Sequence, residues 1–297
     1  MSSNLLELKQ ALRDTWMAGD FGQIARYMEE EAESFVECLG ILAGMKVLDV
    51  ACGTGNVAVP AARKGAQVVG IDIAPNLLEQ ARQRVEGESL QATFEEGDAE
   101  QLPYPDGYFD VVVSMFGAMF APRPEQVASE LVRVCRRGGK IAMANWTPEG
   151  AAGEMFRLRE RYLPSPAGIP APALWGDESV VRDRLSAHGV HVETARRTFI
   201  YELPFSPSEV VQLFREYFGP TKIAFSRLNA TSQIAYAEGL ERLWSERSEK
   251  ENGKTLMQNE YLKVIGMRPS WMVGTPKSQT CTISDQAFRD VRFVTLA

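Results

Sequence analysis

Three acidic residues, at the ends of three successive expected strands, are the side chains here best placed to do chemistry. Asp49 lies inside Val47-Leu-Asp49-Val-Ala-Cys-Gly53-Thr-Gly55, Asp72 closes Gln67-Val-Val-Gly-Ile-Asp72, and Asp98 follows Gly97. Gly53 and Gly55 let the backbone approach a ligand closely, and the helix that follows begins with free N–H groups. Asp72 is placed to accept hydrogen bonds from ribose hydroxyls. Taken alone, Gly53-x-Gly55-x-x-Ala58 with Asp72 also fits a nicotinamide dinucleotide site. Asp49 separates the two ligands. Its carboxylate repels a pyrophosphate and attracts an ammonium group, directly or through water. S-adenosylmethionine offers that ammonium, a ribose and an adenine, and has no phosphate. Asp98 can accept from the adenine amino group while the Ala99 amide donates to a ring nitrogen. No Lys or Arg stands among these acids at the strand ends, which suits a cationic ligand.

The elements that position them follow from the hydrophobic pattern. Residues 46–50 read as a buried strand, 56–64 as a helix ended by Gly65, and 67–72 as a second strand. Pro75 suits the first turn of a helix carrying Leu78, Ala81 and Val85 on one face. Strands are expected at 90–95, 108–114 and 140–146, with a helix from Pro124 stopped by Gly138-Gly139. This repetition predicts an α/β fold, a doubly wound, Rossmann-like, mostly parallel seven-stranded sheet with helical cap insertions. Ligands then belong at the carboxyl ends of the strands.

The expected divisions are an N-terminal helical cap (1–44), the cofactor-binding core (45–148) and a helical, Pro-rich insertion (149–190). A sheet strand (191–204), a helical substrate cap (205–257), a last strand (258–267) and a tail without clear pattern (268–297) complete the chain. In the cap, Ile234, Ala237, Leu240 and Trp244 form one apolar stripe.

The chain has 297 residues and a net charge of −7, with 45% apolar and 24% charged residues, the composition of a globular protein rather than a disordered chain. The acidic balance disfavours nucleic-acid partners. The longest nearly apolar run, 111–121, is about half of the ~20 residues a membrane helix needs, so no membrane association is expected. No secretory signal is visible. Cys38, Cys52, Cys135 and Cys281 are widely spaced, which argues against zinc or a disulfide framework and for a cytoplasmic location.

At this point the sequence resembles the class I S-adenosylmethionine-dependent methyltransferases, in particular the ubiquinone/menaquinone-biosynthesis type and its small-molecule relatives. The resemblance rests on Val-Leu-Asp-Val-Ala-Cys-Gly-Thr-Gly and Gly-Ile-Asp72-Ile-Ala-Pro-Asn-Leu-Leu-Glu-Gln-Ala. It continues through Gly-Asp98-Ala-Glu-Gln-Leu-Pro-Tyr-Pro-Asp-Gly-Tyr-Phe-Asp110 and Leu-Val-Arg-Val-Cys-Arg-Arg-Gly-Gly-Lys140. It implies that the glycine loop (Asp49, Ala51, Gly53, Gly55) holds the methionine portion, with Asp72 and Ile73 at the ribose. Asp98 and Ala99 then face the adenine, and Ser114 and Phe116 run beneath the cofactor. The implied activity is methyl transfer to a small-molecule acceptor at O, N or C; the alternatives are a catalytically inactive binder of the cofactor or an NAD-dependent oxidoreductase.

No His-Asp pair reveals a base, so no catalytic residue is named, and no metal site is expected. Asp110 reads as structural, His188 and His191 as remote, Arg123 as a surface cation, and Glu29-Glu30-Glu31 as a solvated helix face. Trp16 and Tyr27 read first as packing of the helical cap. Phe116, Met119 and Phe120 divide evenly between core and pocket wall. Asn145-Trp-Thr-Pro148, Tyr217 and the helical segment 207–248 are the places expected to choose the acceptor.

Overall fold

The computed structural model describes residues 3–251 and 253–270. The chain opens with helices α1 (Ser3–Met17), α2 (Gly22–Ala25) and α3 (Glu29–Glu37). β1 (Lys46–Val50), α4 (Ala58–Arg63), β2 (Gln67–Asp72), α5 (Pro75–Gly87), β3 (Ala92–Glu96) and β4 (Phe109–Met115) follow. Next come α6 (Pro124–Val134), β5 (Cys135–Trp146), α7 (Ala151–Tyr162), α8 (Glu178–Ser186) and β6 (His191–Leu203). The chain then runs through α9 (Pro207–Tyr217), α10 (Gly219–Arg227), α11 (Ala230–Glu246), β7 (Ser248–Glu251) and β8 (Lys254–Met267).

The strands lie in the order β3-β2-β1-β4-β5-β8-β6, with β7 paired on β8 as a short eighth strand. Neighbours from β3 to β5 are parallel, whereas β8 is antiparallel to both β5 and β6. Val47, Leu48 and Val50 on β1 and Val111 to Val113 on β4 are buried, as expected of central parallel strands covered on both faces. Strand order reverses between β1 and β4, which opens a crevice at their carboxyl ends.

Several boundaries depart from the sequence reading, each for a local reason. Gly138-Gly139 does not stop a helix: α6 ends at Val134 and β5 starts at once, running through both glycines. A Cβ on Gly139 would stand 2.8 Å from both the Arg136 carbonyl and the Cys135 Sγ, and β4–β5 pairing shifts register between Phe109 and Val111. The pair therefore serves a strand irregularity. The helical cap expected to reach residue 257 ends at Glu246, because the chain turns at Gly253 (φ +81°) and β8 begins at Lys254. The third strand is displaced to Ala92–Glu96, and the helix after the glycine loop is shorter than expected. Of the expected stripe on α11, Leu240 and Trp244 are buried and Ala237 partly so, but Ile234 is 61% exposed and Tyr236 and Leu243 complete the buried face. Residues 271–297, with Cys281, lie outside the described residues.

The turn before β4 is held by one buried carboxylate. Glu130 on α6 accepts from the Leu102 amide at 2.7 Å and pairs with Arg133, whose guanidinium also donates to the Leu102 and Tyr104 carbonyls. Removing Glu130 strands a buried N–H. Glu130→Ala is therefore expected to lower the unfolding free energy by about 2 kcal/mol, measured by urea denaturation.

Candidate active site

The crevice between β1 and β4 leads into one deep cavity. Asp49, Ala51, Gly53, Asp72, Ile73, Asp98, Ala99 and Phe116 all line it. Two residues of the expected set do not line it. Gly55 (φ +83°) is needed for packing, since a Cβ there would meet the Ala81 Cβ at 3.3 Å and the Val59 side chain at 3.5 Å. Ser114 is buried, and its Oγ accepts from the Ala118 amide at 3.0 Å, so its hydroxyl is engaged in shaping the turn after β4.

The glycine loop is assembled around carboxylates. Asp49 Oδ2 accepts from the Ala58 amide at 3.1 Å, which caps the first turn of α4. Asp72 Oδ2 accepts from the Gly53 amide at 2.8 Å and Oδ1 from the Ala74 amide at 2.9 Å, so it joins the loop after β1 to the start of α5. Each carboxylate has lone pairs left over. Gly53 (φ +52°) has nothing within 4 Å of where a Cβ would stand, which leaves open space beside the loop.

Burial dominates the electrostatics. It pushes the Asp49 carboxyl up to about 8, against the Ala58 amide, with the neighbouring Asp72 adding to the rise. It raises the Asp72 carboxyl as well, opposed by the amides of Ala74, Gly53 and Ile73. Neither carboxylate has an ion-pair partner among the described residues.

Asp98 differs, and here the sequence reading needs correction. Lys9, on α1, reaches across and pairs with Asp98 and with Glu100. Asp98 Oδ1 also accepts from the Glu100 amide at 2.8 Å. Arg123 is likewise more than a surface cation: its Nε lies 2.8 Å from the fully buried Glu100 carboxylate. Nothing local in the sequence marked Lys9, because the pairing spans 89 positions. Asn56 and Arg84 were also missed. Arg84 donates to the Thr54 carbonyl and to Asn56 Oδ1, and Asn56 Nδ2 donates to the Ala25 carbonyl, tying the loop to α2.

Beyond the carboxylates the cavity is apolar and aromatic. Trp16, Phe21, Phe120, Phe156, Phe218 and Trp244 line it, along with Met155 and Met257. Phe116 stacks on Trp146 with centroids 3.7 Å apart and an interplanar angle of 5°. Phe116 and Ala51 both hold a positive φ (59° and 56°), and a Cβ on Gly117 would come within 2.7 Å of the Ala51 Cβ. Two strained residues at neighbouring strand ends are thus packed into the same corner. Tyr27 and Met119 stay outside the lining, as do Asn145, Thr147, Pro148 and Tyr217; of the places expected to choose the acceptor, Trp146 and, from the helical segment 207–248, Phe214, Phe218, Leu243 and Trp244 reach the cavity. Asp110 is structural, accepting from the Lys46 amide and Arg136. Glu31 is not merely solvated: the Tyr261 hydroxyl donates to it at 2.5 Å. Among the described residues no cluster of potential metal ligands occurs, and no helix is long and apolar enough to cross a membrane.

A methyltransferase-domain family profile matches residues 48–143, the stretch that builds this corner. An uncharacterized protein of Mycobacterium tuberculosis, Rv1403c, is 40% identical over 72% of this chain and 78% of its own length. The chain belongs to the class I S-adenosylmethionine-dependent methyltransferases. A demethylmenaquinone methyltransferase of Thermus thermophilus is 39% identical over 42% of this chain and 59% of its own. The solved structure of a putative methyltransferase from Bacillus halodurans shares the fold, with a TM-score of 0.57 over 81% of this chain and 99% of that one, at 21% identity.

The methyltransferase carries Asp49 at a cost that depends on pH. In the folded protein the carboxyl binds its proton up to about 8, whereas an unfolded aspartate releases it near 4. The folded state therefore holds the extra proton between those values, and stability falls as pH rises through that window. Asn keeps an acceptor for the Ala58 amide without the charge. Asp49→Asn is expected to melt higher than the unaltered protein, by a margin that grows from about pH 4 to pH 8 and then levels off, in thermal melts across that range.

Proposed function

We propose that the enzyme binds S-adenosylmethionine along the carboxyl ends of β1 to β4 and methylates a small, predominantly apolar molecule held in the aromatic part of the cavity. The carrying observation is that buried, unpaired Asp49 and Asp72 open into the same cavity as the aromatic walls. A cationic, phosphate-free ligand offsets the burial of those charges, whereas a pyrophosphate adds to their repulsion. The open space beside Gly53 fits the methionine portion next to Asp49, whose unused lone pairs face an ammonium group. Asp72 and Ile73 would hold the ribose, Asp98 and Ala99 the adenine, and Phe116 with Ala51 the floor. For Asp98 to accept from the adenine amino group, Lys9 has to share or yield that carboxylate.

The bound cofactor supplies a methyl group already activated by a sulfonium. What the chain supplies is placement and dryness. α1, α2, α7, α9 and α11 each contribute cavity-lining residues, and their apolar and aromatic side chains exclude water from the acceptor. Strand-end packing of Phe116 on Trp146 fixes the wall against which the acceptor lies. The Thermus relative's name specifies a small-molecule acceptor, which supports the same class here. A net charge of −7 weighs against nucleic acid.

S-adenosylhomocysteine is expected to raise the melting midpoint and NAD to leave it unchanged; stabilisation by NAD alone would contradict the reading. Asp72→Ala should weaken S-adenosylhomocysteine binding by at least ~2 kcal/mol, roughly 30-fold, in calorimetric titration. Transfer of label from methyl-labelled cofactor to a compound in a metabolite extract tests turnover directly.

A further inference from the structure

Apart from the indole N–H of Trp244, unpartnered among the described residues and a donor only, the acceptor half of the cavity holds a polar side chain that the fold itself hardly uses. Asn259 lies on β8 between Met257 and Tyr261 on the same buried strand face, opposite Phe199 of β6. It is 3% exposed and lines the cavity, and its side chain makes one hydrogen bond, a long 3.4 Å contact from Nδ2 to the Met257 carbonyl. A carboxamide offers two donors and two acceptor lone pairs, so most of this capacity is unspent. Burying an amide so poorly satisfied costs stability, and an apolar residue would fill the same place more favourably.

Its surroundings define what could use it. Trp146 and Tyr201 line the cavity with Asn259, and Phe199, outside the lining, contacts Trp146, Tyr201 and Tyr261 at centroid distances of 6.0, 5.9 and 6.3 Å, so the rings form one aromatic wall. The Tyr201 hydroxyl is already committed to the Ile24 carbonyl at 3.1 Å. The acidic and basic residues lining the cavity, Lys9, Asp49, Asp72 and Asp98, come from α1 and the ends of β1 to β3, not from this wall. A charged group on the acceptor would lie against aromatic rings without a counter-charge.

Resting on the proposed function, we propose that Asn259 is a specificity-determining residue that holds an uncharged carbonyl or hydroxyl oxygen of an otherwise apolar, ring-containing acceptor. The amide fixes which end of the ring system points toward the cofactor, while the aromatic wall fixes its plane.

The test uses 1-tetralone and tetralin, two bicyclic probes that differ by one carbonyl oxygen, titrated by tryptophan fluorescence into the full chain with and without S-adenosylhomocysteine. The expected result is that Asn259→Leu lowers the tetralone-to-tetralin affinity ratio by about fivefold or more, with S-adenosylhomocysteine binding unchanged and the melting midpoint equal or higher. Asn259→Ser, which keeps a hydroxyl, should fall between the two and supplies the reading if the Leu variant does not fold. An unchanged ratio in the variants, or no binding of either probe to the unaltered protein, would overturn the assignment. Failure to bind S-adenosylhomocysteine with the tetralone preference intact would fault the proposed function while supporting this role of Asn259.

Discussion

Two carboxylates taken out of water at the ends of neighbouring strands, with no basic side chain set against them, are the constraint around which this molecule is arranged. Asp49 and Asp72 are 2% and 7% exposed. A protein that needed only stability would replace such residues or pair them. Here backbone amides do the holding: Ala58 for Asp49, and Gly53 and Ala74 for Asp72. Those same bonds shape the glycine loop, so the residues that burden the fold also build it. Amides soften the desolvation without overcoming it, so Asp49 keeps its proton up to about 8 and a cationic ligand is left to draw it into the charged form.

The second half of the cavity answers a different need. Beyond Phe116, Phe120 and Trp146 at the strand ends, its rings come from α1, α7, α9, α11 and β6 and from Phe21 and Phe218 beside the helices, all outside the parallel strands. Ala51 and Phe116 connect the halves. Both hold a left-handed backbone, and they meet across Gly117, where a side chain would collide with Ala51. Strain of this sort persists only where the surroundings over-determine it, and it lies where the polar and apolar parts of the cavity join.

The parallel core was legible because its signals are local. Gly53, Asp72, Pro75 and the β-branched runs each report on residues within a turn or two of themselves. The strands and helices between residues 46 and 134 accordingly fall close to where periodicity puts them. What could not be read depends on distant partners. Gly138-Gly139 carries the same local signature in a helix stop and in a strand bulge, and only pairing with β4 decides. The stripe expected on α11 held at Leu240 and Trp244, but tertiary contacts, not period alone, chose Tyr236 and Leu243 over Ile234. At the site, Asp49, Asp72 and Asp98 could be found from spacing, whereas Lys9 and Asn259 reach the cavity from the far ends of the chain.

The idea that buried carboxyls give up a proton to meet an arriving cation can be measured by the protons released. S-adenosylmethionine titrated calorimetrically near pH 7 in buffers of different ionisation enthalpy reports the protons exchanged on binding. The account predicts that the unaltered protein releases a larger fraction of a proton than Asp49→Asn does, because Asp49 ionises as the ammonium arrives. Equal proton exchange in the two proteins, with equal affinity, would contradict it.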